Sequence, residues 1–242
     1  MTRKTVFITG AGRRLGAALV RDLHDHGMDI VLHYHSSSAE AEALAAALNE
    51  RRAGSVFLVQ ADLLAADFDT LAARAGAFTG RLDVLINNAS AFYPTAVGDT
   101  TAAQWEELLG TNLRAPYFLA QACVKALTEA RGCVINIADI HGEIPLKGYP
   151  VYSAAKAGLI MLTRALAKEL GPEIRVNAVS PGAVMWPETL AEPVRKKIIS
   201  RTLLKRQGTP ADVASAVRYL INDAGYMTGQ VMTIDGGRTL HS

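Results

Sequence analysis

Cysteine is nearly absent from this sequence: Cys123 and Cys133 are the 2 among 242 residues. They lie in apolar surroundings, too few for a disulfide framework and without the spacing of a metal pair, and read as buried core thiols. Net charge is small as well. Lys and Arg number 25 against 23 Asp and Glu, a balance of +2, which is too little for the electrostatic footprint of a nucleic-acid binder. No apolar run approaches the roughly 20 residues of a membrane span. The basic start Met1-Thr2-Arg3-Lys4 leads only into Val6-Phe7-Ile8 before Gly10, which is not a signal-peptide pattern. H-E-x-x-H and G-x-S-x-G are both missing, so zinc hydrolysis and α/β-hydrolase chemistry have no support. His24, His26, His141 and His241 show no ligand spacing, and no metal is expected. The expectation is a soluble cytoplasmic protein with neither nucleic-acid nor membrane partners.

What is present is core. Half of the residues (50%) are apolar and 20% are charged, enough to bury a large interior without metals or disulfides. Short Val- and Ile-rich runs at 6–9, 30–32, 56–59, 84–86, 134–137, 176–179 and 231–234 read as strands. Between them, helical patterns run from 15 to about 26, over 39–51, through Leu71 and Ala75, around 105–127 and over 152–170. Ser37 or Ser38 suits the N-cap of the second helix. Several strand runs are apolar on both faces, as parallel strands covered by helices are. Strand–helix alternation from end to end predicts an α/β doubly wound parallel sheet of about seven strands. No linker, repeat or composition shift divides the chain, so residues 1–242 are expected to form one domain. The loosest stretch, 183–208, contains Pro187, Pro193 and the charged trio Arg195-Lys196-Lys197. It fits a substrate loop and an ordinary surface helix equally well.

Gly10-Ala11-Gly12-Arg13-Arg14-Leu15-Gly16 follows the first strand and opens the first helix. Glycines there let the backbone approach a pyrophosphate, whose charge is favoured by free N–H groups at a helix N-terminus. No Walker lysine follows, which argues against ATP or GTP chemistry. After the second strand, NAD sites usually place an acid against the ribose 2′-hydroxyl. Here the chain reads His33-Tyr34-His35-Ser36-Ser37, with no acid before Glu40. A carboxylate would repel a 2′-phosphate, whereas hydroxyls, imidazoles and Arg13 or Arg14 can donate to one, so NADPH is expected over NADH.

Tyr152-Ser153-Ala154-Ala155-Lys156 places a phenol and an ammonium one helical turn apart on one face. The ammonium is expected to lower a phenol pKa that starts near about 10, making Tyr152 a usable general acid or base. Taken with the glycine loop, Asn87-Asn88-Ala89, Asn112 and Pro181-Gly182, this order resembles the short-chain dehydrogenase/reductase family over essentially the whole chain. The resemblance implies a Rossmann-type sheet and hydride transfer from a nicotinamide. It implies that Tyr152 exchanges the proton, Lys156 holds the nicotinamide ribose and Asn112 anchors a proton-relay water. Asp62-Leu63 would border the adenine, with Asn88, Ala89, Ser90, Pro181 and Gly182 also along the cofactor. The long central helices and Asp235-Gly236-Gly237 imply a homotetramer.

Two positions depart from that family's pattern. Where most members carry a Ser that hydrogen-bonds a substrate carbonyl, this chain has Asp139; an ionised carboxylate has no proton to give a developing alkoxide. Arg14 stands at the middle glycine position of the loop. With His33-Tyr34-His35-Ser36 and Asn88-Ala89-Ser90-Ala91-Phe92-Tyr93-Pro94-Thr95, these departures resemble the pteridine reductases of the family. That likeness implies a pterin stacked between Phe92 and the nicotinamide, with Ser90, Arg14 and the Asp139–Tyr152 pair on its polar edge. Parasite members carry Arg where Ser36 stands, which leaves the strength of the NADP preference open. Trp186 is a candidate for closing over substrate. The leading expectation is an NADPH-dependent pteridine reductase. Beside it stand dihydrofolate or dihydromonapterin reduction, carbonyl reduction, and NADP(H) sensing without turnover.

Overall fold

The computed structural model describes residues 3–186 and 190–240. Seven parallel strands form one sheet: β1 (Thr5–Ile8), β2 (Asp29–Tyr34), β3 (Val56–Gln60), β4 (Val84–Asn87), β5 (Cys133–Ile137), β6 (Arg175–Pro181) and β7 (Val231–Ile234). Their order across the sheet is β3-β2-β1-β4-β5-β6-β7. In register, Phe7 lies beside Val31 on one side and Leu85 on the other. This is the Rossmann-type sheet of the expected class. The order reverses between β1 and β4, which opens a crevice at the carboxyl ends of the strands where such sheets bind ligands.

Side chains alternate across the sheet and build two core layers. Val6, Ile8, Ile30 and Leu32 face α1 (Arg14–Asp25), α2 (Ser38–Arg51) and α8 (Pro210–Asn222). Phe7, Val31, Leu85, Val134 and Val176 face α3 (Phe68–Ala77), α5 (Ala115–Ala130) and α6 (Pro150–Leu170). Leu19 and Leu23 of α1 are fully buried, and so are Cys123 and nearly Cys133, which are both free thiols. Burial under both layers explains why the strand runs read as continuously apolar.

Three elements differ from the sequence expectation. The long helix at 105–127 is α4 (Ala102–Leu109) and α5, joined by a π-helical turn at Gly110–Arg114. Pro116 has no N–H to donate to the carbonyl four residues earlier, that of Asn112, so the α-ladder cannot run straight through. Helix α8 was not anticipated, although Thr209-Pro210-Ala211-Asp212 carries its signal. Thr209 accepts from the Asp212 N–H at 3.2 Å, Asp212 accepts from the Thr209 N–H at 2.7 Å, and Pro210 fills the first turn. Ser37 is the N-cap of α2, yet its side chain makes no capping bond. In the 183–208 stretch, α7 (Glu192–Ser200) has no buried residue; Pro187 lies outside the described residues, as does His241. Among the described residues no helix is long and apolar enough to cross a membrane, and no cluster of three or more His, Cys, Asp or Glu could hold a metal.

Candidate active site

The crevice above β1 and β4 is tied together by polar side chains, several of them bonded to main chain. The Thr9 hydroxyl accepts from the N–H groups of Asn88 and Ala89, each at 3.0 Å, and the Asn88 amide donates to the carbonyls of Thr9 and Gly10, each at 2.9 Å. Asn87 donates to Asn136 at 2.9 Å, and Asn136 to Thr163 at 2.9 Å, which locks β4 and β5 to α6. An added Cβ on Gly16 would meet the Gly10 carbonyl at 2.3 Å and Ala11 Cα at 2.7 Å. Glycine is required there by space, since these atoms are backbone. Helix α1 then begins with no side chain capping it and no acid in its first turn. Its free N–H groups, next to the exposed Arg13 and Arg14, suit a pyrophosphate.

Arg14 has a left-handed backbone, φ 52°, a conformation that glycine takes freely and that costs other residues roughly 1–2 kcal/mol. The loop therefore keeps the glycine geometry while presenting a guanidinium, which donates to the Trp186 carbonyl at 3.3 Å. Trp186 is half-buried, and this bond brings the 183–186 segment to the phosphate loop.

The end of β2 divides into an inner and an outer part. His33 is buried; its Nδ1 accepts from the Gly10 N–H at 3.1 Å, which leaves Nε2 to donate to the Ala61 carbonyl at 3.1 Å. Burial holds its pKa down to about 4. His33 thus supports the loop from beneath, and Tyr34 is buried beside the same core. His35 and Ser36 are exposed and Ser37 is half-buried. Ser37 Oγ lies 2.6 Å from where a Cβ of Gly12 would be, so the hydroxyl that leaves α2 uncapped sits against the phosphate loop. No acid joins them at the strand end. Asp62 is exposed at the end of β3, accepting from the Leu64 N–H at 2.9 Å, and Leu63 is buried. The residues present fit a dinucleotide.

The candidate acid–base side chains converge beyond β4 and β5. Tyr152, in the first turn of α6, donates to Asp139 Oδ2 at 2.8 Å, while Asp139 Oδ1 accepts from the His141 N–H at 2.8 Å. Lys156 is buried one turn on and donates to the Ile137 carbonyl at 2.8 Å. Its ammonium is 5.8 Å from the Tyr152 ring centroid. The phenol's pKa shifts opposite to the sequence expectation. Burial first, then the charge and hydrogen bond of Asp139, raise it well above its ordinary value, against a smaller downward pull from Ser90. Burial also lowers the Lys156 pKa to about 8, against an upward pull from Asp139. Tyr152 therefore holds its proton, which is the form a donor needs.

Ser90 donates to Asn112 Oδ1 at 2.7 Å, and the Asn112 amide donates to the carbonyls of Ala91 and Leu108, each at 2.9 Å. The π-turn places Asn112 under the β4 loop, where these bonds of its side chain shape that loop. Phe92 stacks on Tyr149, with ring centroids at 4.7 Å, and meets Tyr152 edge-on at 4.8 Å. Phe92 remains 44% exposed, so an aromatic surface stands open next to Tyr152. Pro181 ends β6, and Gly182 donates to Ile234 at 3.0 Å. Thr9, Tyr149 and the supporting role of His33 were missed in the sequence. Tyr149 had a signal, being an aromatic one helical turn before Tyr152.

A glycine loop at a helix N-terminus, a tyrosine and a lysine one turn apart on α6, and an open aromatic face lie together along this crevice. A family model described as enoyl-(acyl carrier protein) reductase matches residues 10–239. The chain is 36% identical to pteridine reductase 1 of Leishmania tarentolae, covering 99% of this chain and 97% of that one. It is 33% identical to 3beta-hydroxysteroid dehydrogenase 1 of Eggerthella lenta, covering 98% and 94%. Identity is 34% to a 3-oxoacyl-[acyl-carrier-protein] reductase of Synechocystis, covering 99% and 98%. The chain belongs to the short-chain dehydrogenase/reductase family, and it is an oxidoreductase of that family.

Proposed function

We propose that this chain is an NADPH-dependent reductase of pterins, acting on a C=N bond of an oxidised or dihydro pteridine. The observation that carries this reading is the 2.8 Å bond from Tyr152 to Asp139. A carboxylate stands where a carbonyl reducer needs a hydroxyl donor. It suits a ring edge that presents N–H and amino groups, and it would repel an alkoxide. The exposed face of Phe92 supports the same reading, because a flat heteroaromatic ring needs a stacking wall and in-plane hydrogen bonds. The likeness to pteridine reductase 1 agrees with it.

The nicotinamide supplies the hydride when bound. Arg13, Arg14 and the N–H groups of Leu15 and Gly16 bind the pyrophosphate; His35, Ser36 and Ser37 receive the 2′-phosphate, with His33 and Tyr34 beneath them. Asp62 and Leu63 border the adenine, and Asn88, Ala89, Ser90, Pro181 and Gly182 line the rest of the dinucleotide. Lys156 holds the nicotinamide ribose. Tyr152 donates its proton to the ring nitrogen next to the reduced carbon, and Asp139 orients the phenol and the ring's donors. Asn112 anchors the relay that returns the proton. Phe92, Ser90, Arg14 and Trp186 contact substrate, with residues 183–208 forming the substrate loop. The groove lined by Leu113 of the π-turn, Tyr117 and Phe118 of α5, and Met161 and Leu162 of α6 supports self-association, read as a homotetramer.

NADPH oxidation is measured with biopterin, dihydrobiopterin, dihydromonapterin, dihydrofolate and simple ketones, in wild type and Asp139→Ser. Pterin or folate turnover that Asp139→Ser depresses supports the reading. Turnover of ketones alone would assign carbonyl reduction, the activity named for the steroid and oxoacyl relatives. Tight NADPH binding without any turnover would assign a sensor.

A further inference from the structure

Two guanidinium groups near the carboxyl end of the sheet have no hydrogen-bond or ion-pair acceptor among the described residues. Arg201 follows α7, and Arg238 opens the 3-10 turn after β7. Main-chain packing brings their segments together. Leu204 donates to the Gly236 carbonyl at 3.1 Å. Thr202 Cγ2 and Leu203 Cδ1 lie 2.7 and 2.8 Å from where the Cβ atoms of Gly236 and Gly237 would be. Each arginine is therefore one residue from a contact between the two segments. The junction also borders the site, since Gly182 packs against Asp235, 2.7 Å from its ideal Cβ to Asp235 Cβ.

Arg238 is half-buried. Burial and the charge of Arg201 lower its pKa, while Asp139 and Asp235 pull it up. Both carboxylates are already engaged: Asp139 by Tyr152 and His141, Asp235 by the N–H groups of Gly237 and Thr239 at 2.8 and 2.7 Å. The two guanidinium groups therefore stand beside each other at the edge of the site with donors free to take an anion between them. Leu203 and Leu204, 51% and 63% exposed, add an apolar surface between them.

We propose that Arg201 and Arg238 form a subsite for an anionic tail, so that the substrate carries a carboxylate or phosphate on the chain attached to its ring. Leu203 and Leu204 lie along the apolar middle of that tail. This rests on the pterin reading for the ring and adds a second recognition point to it.

The test compares dihydrobiopterin, with a neutral side chain, dihydrofolate, with a carboxylate tail, and a dihydroneopterin phosphate. Each is assayed with NADPH in wild type, Arg201→Gln, Arg238→Gln and the double variant. Each substitution is expected to raise KM for acid-tailed substrates roughly five- to tenfold, with kcat and dihydrobiopterin kinetics unchanged and the difference shrinking as salt rises. A response confined to carboxylate or to phosphate supports the subsite and identifies its anion. Equal losses for all three substrates, or no loss for any, overturn it while leaving the reductase reading intact. If no pterin is reduced, that reading fails by itself, and titration of 4-aminobenzoyl-glutamate and a phosphate monoester into the NADPH complex decides the subsite. Binding that the arginine substitutions abolish retains it, and absent or unaffected binding overturns it.

Discussion

Beside β1, β2 and β4 the crevice is held by backbone: Thr9, Asn88 and His33 each bond main-chain groups, and Gly16 fits because it has no side chain. Beyond β5 and β6 the same crevice is formed by side chains. Tyr152 meets Asp139, Phe92 leans on Tyr149, and Arg201, Leu203 and Leu204 stand exposed at the rim. The difference separates two tasks. A pyrophosphate offers the same oxygens in every dinucleotide, so rigid N–H groups recognise it best. A substrate ring is recognised by the particular donors and aromatic surfaces placed around it, and these can be exchanged without disturbing the sheet.

Substitutions on the two sides should therefore fail differently. Removing the Tyr152 proton gives the largest effect: Tyr152→Phe should lower kcat by roughly 10²–10⁴-fold while NADPH affinity, read by fluorescence titration, stays near wild type. Turnover near normal would place proton donation elsewhere.

On the backbone side, acid should act through His33. Its folded pKa of about 4 lies below the ordinary histidine value of 6.5, so as pH falls through that window the unfolded chain takes the proton first. Stability is retained above pH 6.5 and lost between there and about 4, to the extent of order 3 kcal/mol. Denaturant melts across the range should show this slope, and His33→Gln should flatten it. His24, whose pKa burial also lowers, adds a loss of the same sign that persists in the variant.

Gly16→Ala should destabilise by about 1–3 kcal/mol through overpacking against backbone and weaken NADPH binding. Gly76→Ala on α3, where an added Cβ meets nothing within 4 Å, should stabilise by about 0.4–1 kcal/mol. Similar melting shifts in the two variants would remove the claim that the loop is sterically closed.

The smallest effect belongs to the aromatic wall. Stacking contributes about 0.5–1.5 kcal/mol beyond area burial, so Phe92→Ala should raise pterin KM several-fold with little change for NADPH. Equal damage to both ligands, with a lowered Tm, would make Phe92 a structural residue.

All seven strands were legible because each is a short apolar run under two helix layers, and the glycine loop because it follows the first of them directly. Helix α8 went unread although its capping box is local, and the break at Asn112 depended on noticing that Pro116 withholds an N–H. The shared face of Tyr152 and Lys156 was visible from helical spacing alone. The phenol's high pKa was not, because it comes from burial and from Asp139, which reaches Tyr152 only across the β5 loop.

By itself the sequence determined the layers, the family and the candidate residues of the site, since periodicity and motif order are properties of neighbours along the chain. Only the tertiary structure decided which way Tyr152 is biased, that His33 supports the loop while His35 and Ser36 face outward, and that Arg238 comes within charge range of Asp139. These depend on burial and on distances between segments far apart in the chain, which no local pattern encodes.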